Sequence, residues 1–179
     1  MSGKSSRFWS FSLEVYGDPA VQAECLDLQD RYGIDVNLLL FCAYVGAVDA
    51  AAMPESAAQE AGHLVADWHG DVVKNLRAAR RALKPFAADP SPHQAAAAAA
   101  LRGTVKAAEL EAERLEQSML EQWRETRVGT WPRAAPEAAV AANVRLLLAT
   151  AATAAAAPQP LLPARLIAAA LAAARNRQA

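Results

Sequence analysis

Glycine, cysteine and net charge are what this sequence has little of. Its 179 residues include 8 Gly and 2 Cys, and 18 Lys and Arg stand against 19 Asp and Glu. A protein that binds nucleic acid generally carries a basic excess, so nucleic acid is not an expected partner. Cys25 and Cys42 have no C-x-x-C spacing and no nearby histidine, which favours two buried thiols over a disulfide.

A membrane-spanning segment and a signal peptide are also missing from the pattern. The apolar stretch from Val36 to Val48 is 13 residues long, whereas a helix needs about 20 apolar residues to cross a bilayer. The opening MSGKSSRFWSFS has neither the apolar region nor the small-residue cleavage site of a signal peptide. We therefore expect a cytoplasmic protein and no membrane partner.

What the sequence does contain is alanine, which supplies much of its 54% hydrophobic content. Alanine is the best helix former, and β-branched runs are absent, so the composition predicts an all-α fold. Residues 36–48 are apolar on every side, as in a helix surrounded by protein. Asp35 is placed to cap that helix, and Asn37 falls in its first turn. We predict a single domain, 1–179, of about 6–7 helices around this central helix at 35–48.

The remaining helices follow from stop signals and apolar spacing. Residues 1–48 are expected to form an aromatic-rich three-helix unit, with Gly17 and Gly33 as stops. A long antiparallel hairpin is predicted at 55–127, formed by helices at about 55–86 and 92–126, with weak points at Gly62 and Gly70. An alanine-rich helix pair at 137–175 completes the chain. The second hairpin helix has apolar residues at heptad spacing, which predicts its packing seam: Leu101, Val105, Ala108, Ala112, Leu115 and Met119.

A basic stripe on the first hairpin helix is the leading candidate for a binding site. Clustered cations can hold a phosphate, a carboxylate or an acidic partner surface. The alternative is an ordinary solvated face whose cations suit the negative end of their helix. Helical spacing places four of the cations on one face, with a fifth alongside: Lys74, Arg77, Arg81 and Lys84, beside Arg80.

Metal and catalytic patterns are weak. Glu60 and His63 have E-x-x-H spacing, with Asp67 one turn on, but a di-iron bundle needs a second such motif. We predict no metal and no cofactor. Glutamates at 109, 113 and 116 read as a mixed-sign flank of the seam rather than as an acid–base pair. No G-x-S-x-G, P-loop or G-x-G-x-x-G motif is present, so no catalytic residue is assigned and an enzyme is not favoured.

Two isolated residues have both a functional and a structural interpretation. Asn37 is a polar group entering a core helix, where it could bind a ligand or fix a neighbouring helix end. Trp131 lies in a proline-bearing connector and could fill a groove or anchor a partner. The structural interpretation is favoured for both.

The opening of the chain also carries a resemblance. Residues 8–46 read FWSFSLEVYGDPAVQAECLDLQDRYGIDVNLLLFCAYVG. This stretch resembles the start of a family of small, uncharacterised proteobacterial proteins, one of the domain-of-unknown-function families. The similarity continues through Trp68, the Leu76-Arg77 and Arg80-Arg81 pairs and residues 106–114. It implies an all-helical cytoplasmic protein and transfers no activity, cofactor or site residue.

Three functional hypotheses follow. The first is a non-enzymatic protein-interaction or regulatory module, with a protein partner or self-association through the heptad seam. The second is a small-ligand-binding or enzymatic bundle with an anion site near Arg77, Arg81 and Asn37. The third is association with a lipid or granule surface through the alanine-rich C-terminal helices, which lack the basic amphipathic character typical of interfacial helices.

Overall fold

The all-α prediction is confirmed. The computed structural model describes residues 6–88 and 92–177, so residues 1–5, 89–91 and 178–179 of the predicted single domain lie outside it. Within the described part no β-strand forms beyond one bridge between Ala51 and Arg133. The helices are α1 (Arg7–Tyr16), α2 (Pro19–Tyr32), α3 (Val36–Asp49), α4 (Glu55–Trp68), α5 (Lys74–Ala82), α6 (Pro92–Glu125), α7 (Pro136–Ala154) and α8 (Ala164–Asn176).

Local capping determines where the first helices begin and end. The Asp18 carboxylate accepts the Ala20 N–H at 2.8 Å and precedes Pro19, the first residue of α2. Gly33 ends α2 in the left-handed conformation, with φ 67°, which glycine adopts without steric cost. Asp35 caps α3 by accepting the Asn37 N–H at 2.8 Å. These boundaries match the predictions made from the sequence.

The chain divides into two compact units, one of residues 1–64 and 117–179 (unit 1) and one of residues 65–116 (unit 2). In unit 1, α3 is the predicted buried central helix, because every residue from Asn37 to Ala47 is buried. Helices α7 and α8 pack on it. Gly46 permits the closest approach, since a Cβ added there would lie 2.5 Å from the Cα of Val140 in α7.

An amide joins α7 to the segment that follows α3. Asn143 is fully buried, its Oδ1 accepts the Met53 N–H at 2.8 Å, and its Nδ2 donates to the Ala51 carbonyl at 3.0 Å. At the start of α8, the Glu24 carboxylate accepts the Leu166 N–H at 3.0 Å. Among the described helices, none combines the length and apolarity needed to cross a bilayer.

Unit 2 is built from the end of α4, the segment after it, α5 and α6 up to Glu116. The predicted helix at 55–86 ends earlier, at Ala82, and contains a π-helical turn at His69–Val73, which includes the predicted weak point Gly70. His69 contacts Glu116, and Arg80 forms an ion pair with Glu109. The two helical arms of the predicted hairpin therefore run antiparallel here.

The predicted seam of α6 is only partly right. Ala112 is buried, but Leu101 and Leu115 are 53% and 47% exposed, and burial shifts to Glu109 and Glu116 on the neighbouring side of the helix. Burial of Glu109 is tolerated because Arg77 and Arg80 pair with it, and the second buried carboxylate, Glu116, lies 3.2 Å from His69 Nδ1. The seam was read from apolar spacing alone, and the compensating charges shift the buried face.

Candidate functional site

Four charged side chains of α5 and α6 form an ion-pair cluster in unit 2, here called the Arg–Glu cluster: Arg77, Arg80, Glu109 and Glu113. Glu109 Oε1 accepts from Arg77 Nε at 3.1 Å and from Arg80 Nη2 at 3.2 Å, and Arg80 Nε donates to the other oxygen of Glu109. Arg77 Nη2 also donates to Glu113 at 2.6 Å. Charge-assisted, forked contacts of this kind fix both helices in register.

The cluster is largely shielded from water. The Glu109 side chain is 6% exposed, compared with 16% for Arg77 and 24% for both Arg80 and Glu113. Burial acts to raise the pKa of Glu109, but hydrogen bonds donated by Arg80 and Arg77 outweigh it and lower that pKa. Burial raises the pKa of Glu113, against the opposing charge of Arg77. Glu109 is therefore the carboxylate that the arginines hold ionised.

A second buried polar contact lies at the π-helical turn. His69 Nδ1 and Glu116 Oε1 are 3.2 Å apart, and their side chains are 10% and 0% exposed. One residue earlier, the Trp68 indole donates to the Ala112 carbonyl at 3.0 Å. These contacts attach the turn to α6. Sequence analysis placed Glu109 and Glu116 on a mixed-sign flank of the seam, and only knowledge of the facing residues in the other helix could have indicated that both are buried.

The remaining predicted cations point to solvent. Lys74, Arg81 and Lys84 are exposed, and none of them takes part in an ion pair described for this chain. The predicted single stripe is thus divided in two: the structure brings Arg77 and Arg80 together with the glutamates, whereas the other three cations lie exposed at the surface. Their function as a binding site stays a prediction.

Asn37 and Trp131 both belong to unit 1 and are buried. The Asn37 Oδ1 accepts from Gln117 Nε2 at 2.8 Å, so its amide joins α3 to α6 within that unit. Trp131 is 7% exposed, and its ring lies 5.7 Å from Trp123, which in turn contacts Phe41 at 6.2 Å. Both placements agree with the favoured structural interpretation, and their candidacy as ligand or partner sites is not tested.

The three residues that the sequence analysis weighed as metal ligands lie at the surface. Glu60, His63 and Asp67 are all exposed. The nearest charged partner described for Glu60 is Arg127, at 3.7 Å. Both cysteines are buried thiols, as predicted, and burial raises the pKa of each to about 12.

Comparison with known proteins gives one match. A family model described as "Protein of unknown function (DUF2390)" matches residues 7–120, which cover α1 to α5 and most of α6. No curated protein and no solved structure matches the chain. The matched range contains the whole Arg–Glu cluster and the three exposed cations.

Proposed function

Because this chain belongs to the DUF2390 family of proteins of unknown function, we propose from its surface that it is a non-enzymatic protein-interaction or regulatory module that self-associates through α6. One observation carries the proposal. Leu101, Ala108 and Leu115 are exposed at seven-residue spacing, two of them leucines with about half their surface in water. We call these three residues the α6 ridge.

The spacing suits a second copy of the same helix. Residues seven apart stay on one side of a helix, so the ridge is a straight line about 21 Å long. Between Leu101 and Leu115 the exposed charged residues of α6 are Lys106, Glu111 and Arg114, so charges of both signs flank the ridge. An identical surface on a second chain is self-complementary about a two-fold axis, and Ala108 at its centre allows close approach of the helices.

An interface formed by three side chains along about 21 Å of one helix is small. Interfaces below about 1,200 Å² are typical of weak or transient complexes. We therefore expect a dimer that forms in the micromolar range rather than an obligate one, which suits a regulatory module whose state depends on concentration.

Native mass spectrometry and sedimentation velocity over a range of concentrations test the proposal. We expect the dimer fraction to rise with concentration and to disappear in the variant Leu101→Lys/Leu115→Lys. The control Leu13→Lys/Leu26→Lys changes two leucines of similar exposure on α1 and α2 and should dimerise normally. A native chain that stays monomeric throughout, or a control that dissociates as the ridge variant does, refutes self-association.

The same spectra address the alternative of an anion site near Arg77 and Arg81. Arg77 already holds two carboxylates, so an external anion would have to displace Glu109 or Glu113. Extra mass that is lost on denaturation would favour the ligand-binding alternative. The predicted cytoplasmic location and the lipid-surface alternative stay predictions, and sedimentation with liposomes would test the second.

A further inference from the structure

The segment around α5 has an unusual one-sided charge. Between Val72 and Ala88 the sequence carries five cations and no acidic residue, and the nearest acids along the chain are Asp71 and Asp89. The rest of the chain is acidic, because it carries 13 of the 18 Lys and Arg and all 19 Asp and Glu. The cations of the segment are Lys74, Arg77, Arg80, Arg81 and Lys84.

Only part of this charge is neutralised inside the protein. Arg77 and Arg80 are held by the glutamates of the Arg–Glu cluster. The other three cations are exposed, and the ion pairs found in the described part of the chain do not involve them. Three exposed positive charges therefore have no ion-pair partner among the described residues: Lys74, Arg81 and Lys84.

An exposed aromatic residue lies just beyond the C-terminal end of α5, close in the chain to Arg81 and Lys84. Phe86 is 61% exposed and follows Lys84 by two residues in a short 3-10 turn, Phe86–Ala88. The turn is ordered by backbone hydrogen bonds, including Ala87 N–H to Leu83 O at 3.1 Å. An aromatic side chain presented on an ordered turn is the usual anchor of a protein interface.

Helix stability explains only some of these residues. Cations in a last turn stabilise the negative end of a helix, which accounts for Arg81 and for Lys84 just beyond it. Lys74 is the first residue of α5 and gains nothing from that effect, and the exposed Phe86 ring gains nothing from solvent. Lys74 and Arg81 are seven residues apart, on the same side of the helix and about 10 Å apart along it.

We propose that Lys74, Arg81, Lys84 and Phe86 form a docking surface for an acidic protein segment with an apolar side chain that packs on Phe86. We call it the basic–Phe86 surface. Charge complementarity selects the occupant, because carboxylates pair with the three free cations while the ring buries an apolar side chain. Nucleic acid fits less well, since three exposed cations are few for a phosphate backbone and the chain as a whole is at net charge −1.

Fluorescence anisotropy with two labelled peptides tests the charge requirement on the full chain. The probe is a short glutamate-rich peptide with a central leucine pair, and its control has every glutamate replaced by glutamine. We expect binding of the acidic peptide to be at least about tenfold tighter than that of the glutamine peptide, and to weaken as salt is raised. Equal binding of the two peptides overturns the proposal.

A pair of matched variants locates the surface. The test variant is Lys74→Gln/Arg81→Gln/Lys84→Gln, and the control variant is Lys106→Gln/Arg145→Gln/Arg175→Gln. Each removes three exposed cations, and far-UV circular dichroism checks that each stays folded. We expect the test variant to lose about tenfold in affinity for the acidic peptide and the control variant to bind it as the native chain does. Equal affinities of the two variants overturn the proposal.

Phe86→Ser tests the apolar part of the surface separately. It should weaken binding of the acidic peptide by about tenfold without changing its salt dependence. Unchanged affinity would reduce the surface to a charge patch and refute the proposal as stated. Tighter binding of a single-stranded oligonucleotide or of anionic vesicles than of the peptide would also refute it. The triple variant of the basic–Phe86 surface and Phe86→Ser change no residue of α6, so their outcome is independent of self-association.

Discussion

Replacing Glu109 by glutamine removes the one negative charge that Arg77 and Arg80 share. Glutamate and glutamine have nearly the same size and helix propensity, so the substitution isolates the charge. The Glu109 side chain is only 6% exposed, and both guanidinium groups are at least three-quarters buried. The variant therefore leaves two partly desolvated cations without the carboxylate that they share, while Arg77 keeps its hydrogen bond to Glu113.

The expected loss in the free energy of unfolding lies between two limits. Removing one member of a fully buried ion pair costs about 3–5 kcal/mol, whereas an exposed pair contributes about 0.2–1 kcal/mol. Since the arginines retain some water and Glu113, we expect Glu109→Gln to lower the free energy of unfolding by about 2–3 kcal/mol. This is a large fraction of the total stability of a typical domain, which is about 5–15 kcal/mol.

Urea unfolding followed by far-UV circular dichroism measures the effect, and Glu111→Gln is the matched control. Glu111 lies on the same helix with a side chain 62% exposed, and its contact with Arg114 is 3.9 Å long. We expect the control to change stability by less than about 0.5 kcal/mol. A Glu109→Gln variant as stable as this control would refute the view that the cluster stabilises unit 2.

The pH dependence of the same difference checks its electrostatic origin. The pKa of Glu109 is lowered in the folded chain, whereas an unfolded glutamate titrates near about 4.3. The stabilisation is therefore complete above the unfolded pKa and is lost as pH falls through the folded pKa. The stability gap between native chain and Glu109→Gln should shrink on acidification, and a gap that grows instead would contradict the assignment.

Two further predictions concern the core of unit 1 and its thiols. Gly46→Ala should lower the free energy of unfolding by about 3 kcal/mol, because its Cβ would overlap the backbone of Val140. A Cβ added at Gly103 would have no heavy atom within 4 Å, so Gly103→Ala should raise the free energy of unfolding by about 0.5–1 kcal/mol. Denaturant titrations in which Gly46→Ala is the more stable of the two variants would contradict both predictions. Cys25 and Cys42, with pKa raised to about 12, should resist a thiol-specific disulfide reagent at pH about 8 until the chain unfolds. Labelling of either native thiol at the rate of a free cysteine would count against their burial.

Features that depend on a few neighbouring residues could be predicted from the sequence. Asp18 followed by proline, Gly33 after an apolar stripe and Asp35 before the central helix each specify a helix boundary through local hydrogen bonds or backbone conformation. The uninterrupted apolar character of 36–48 likewise indicated a helix buried on all sides. These predictions needed no knowledge of what packs where.

The buried face of α6 could not be predicted in the same way. Apolar periodicity assigns Leu101 and Leu115 to the interior, but the structure buries Glu109 and Glu116 instead. A carboxylate is buried only when a partner compensates for its desolvation, and here the partners lie about 30 to 50 residues earlier in the chain. Their spacing becomes a signal only once the register of the antiparallel helices is known.

The internal pairing of Arg77 and Arg80 bears directly on what this protein can bind. Glu109 and Glu113 are tethered beside these arginines, and an intramolecular partner competes at an effective concentration that reaches the millimolar range. A small free anion must exceed that concentration or make contacts that the glutamates do not. The cations left over lie on an exposed helix side and at its end, too dispersed to enclose a small molecule but suitably spaced for an extended acidic chain. The same ion pairs that hold unit 2 together thus support our proposal of a macromolecular partner rather than a metabolite.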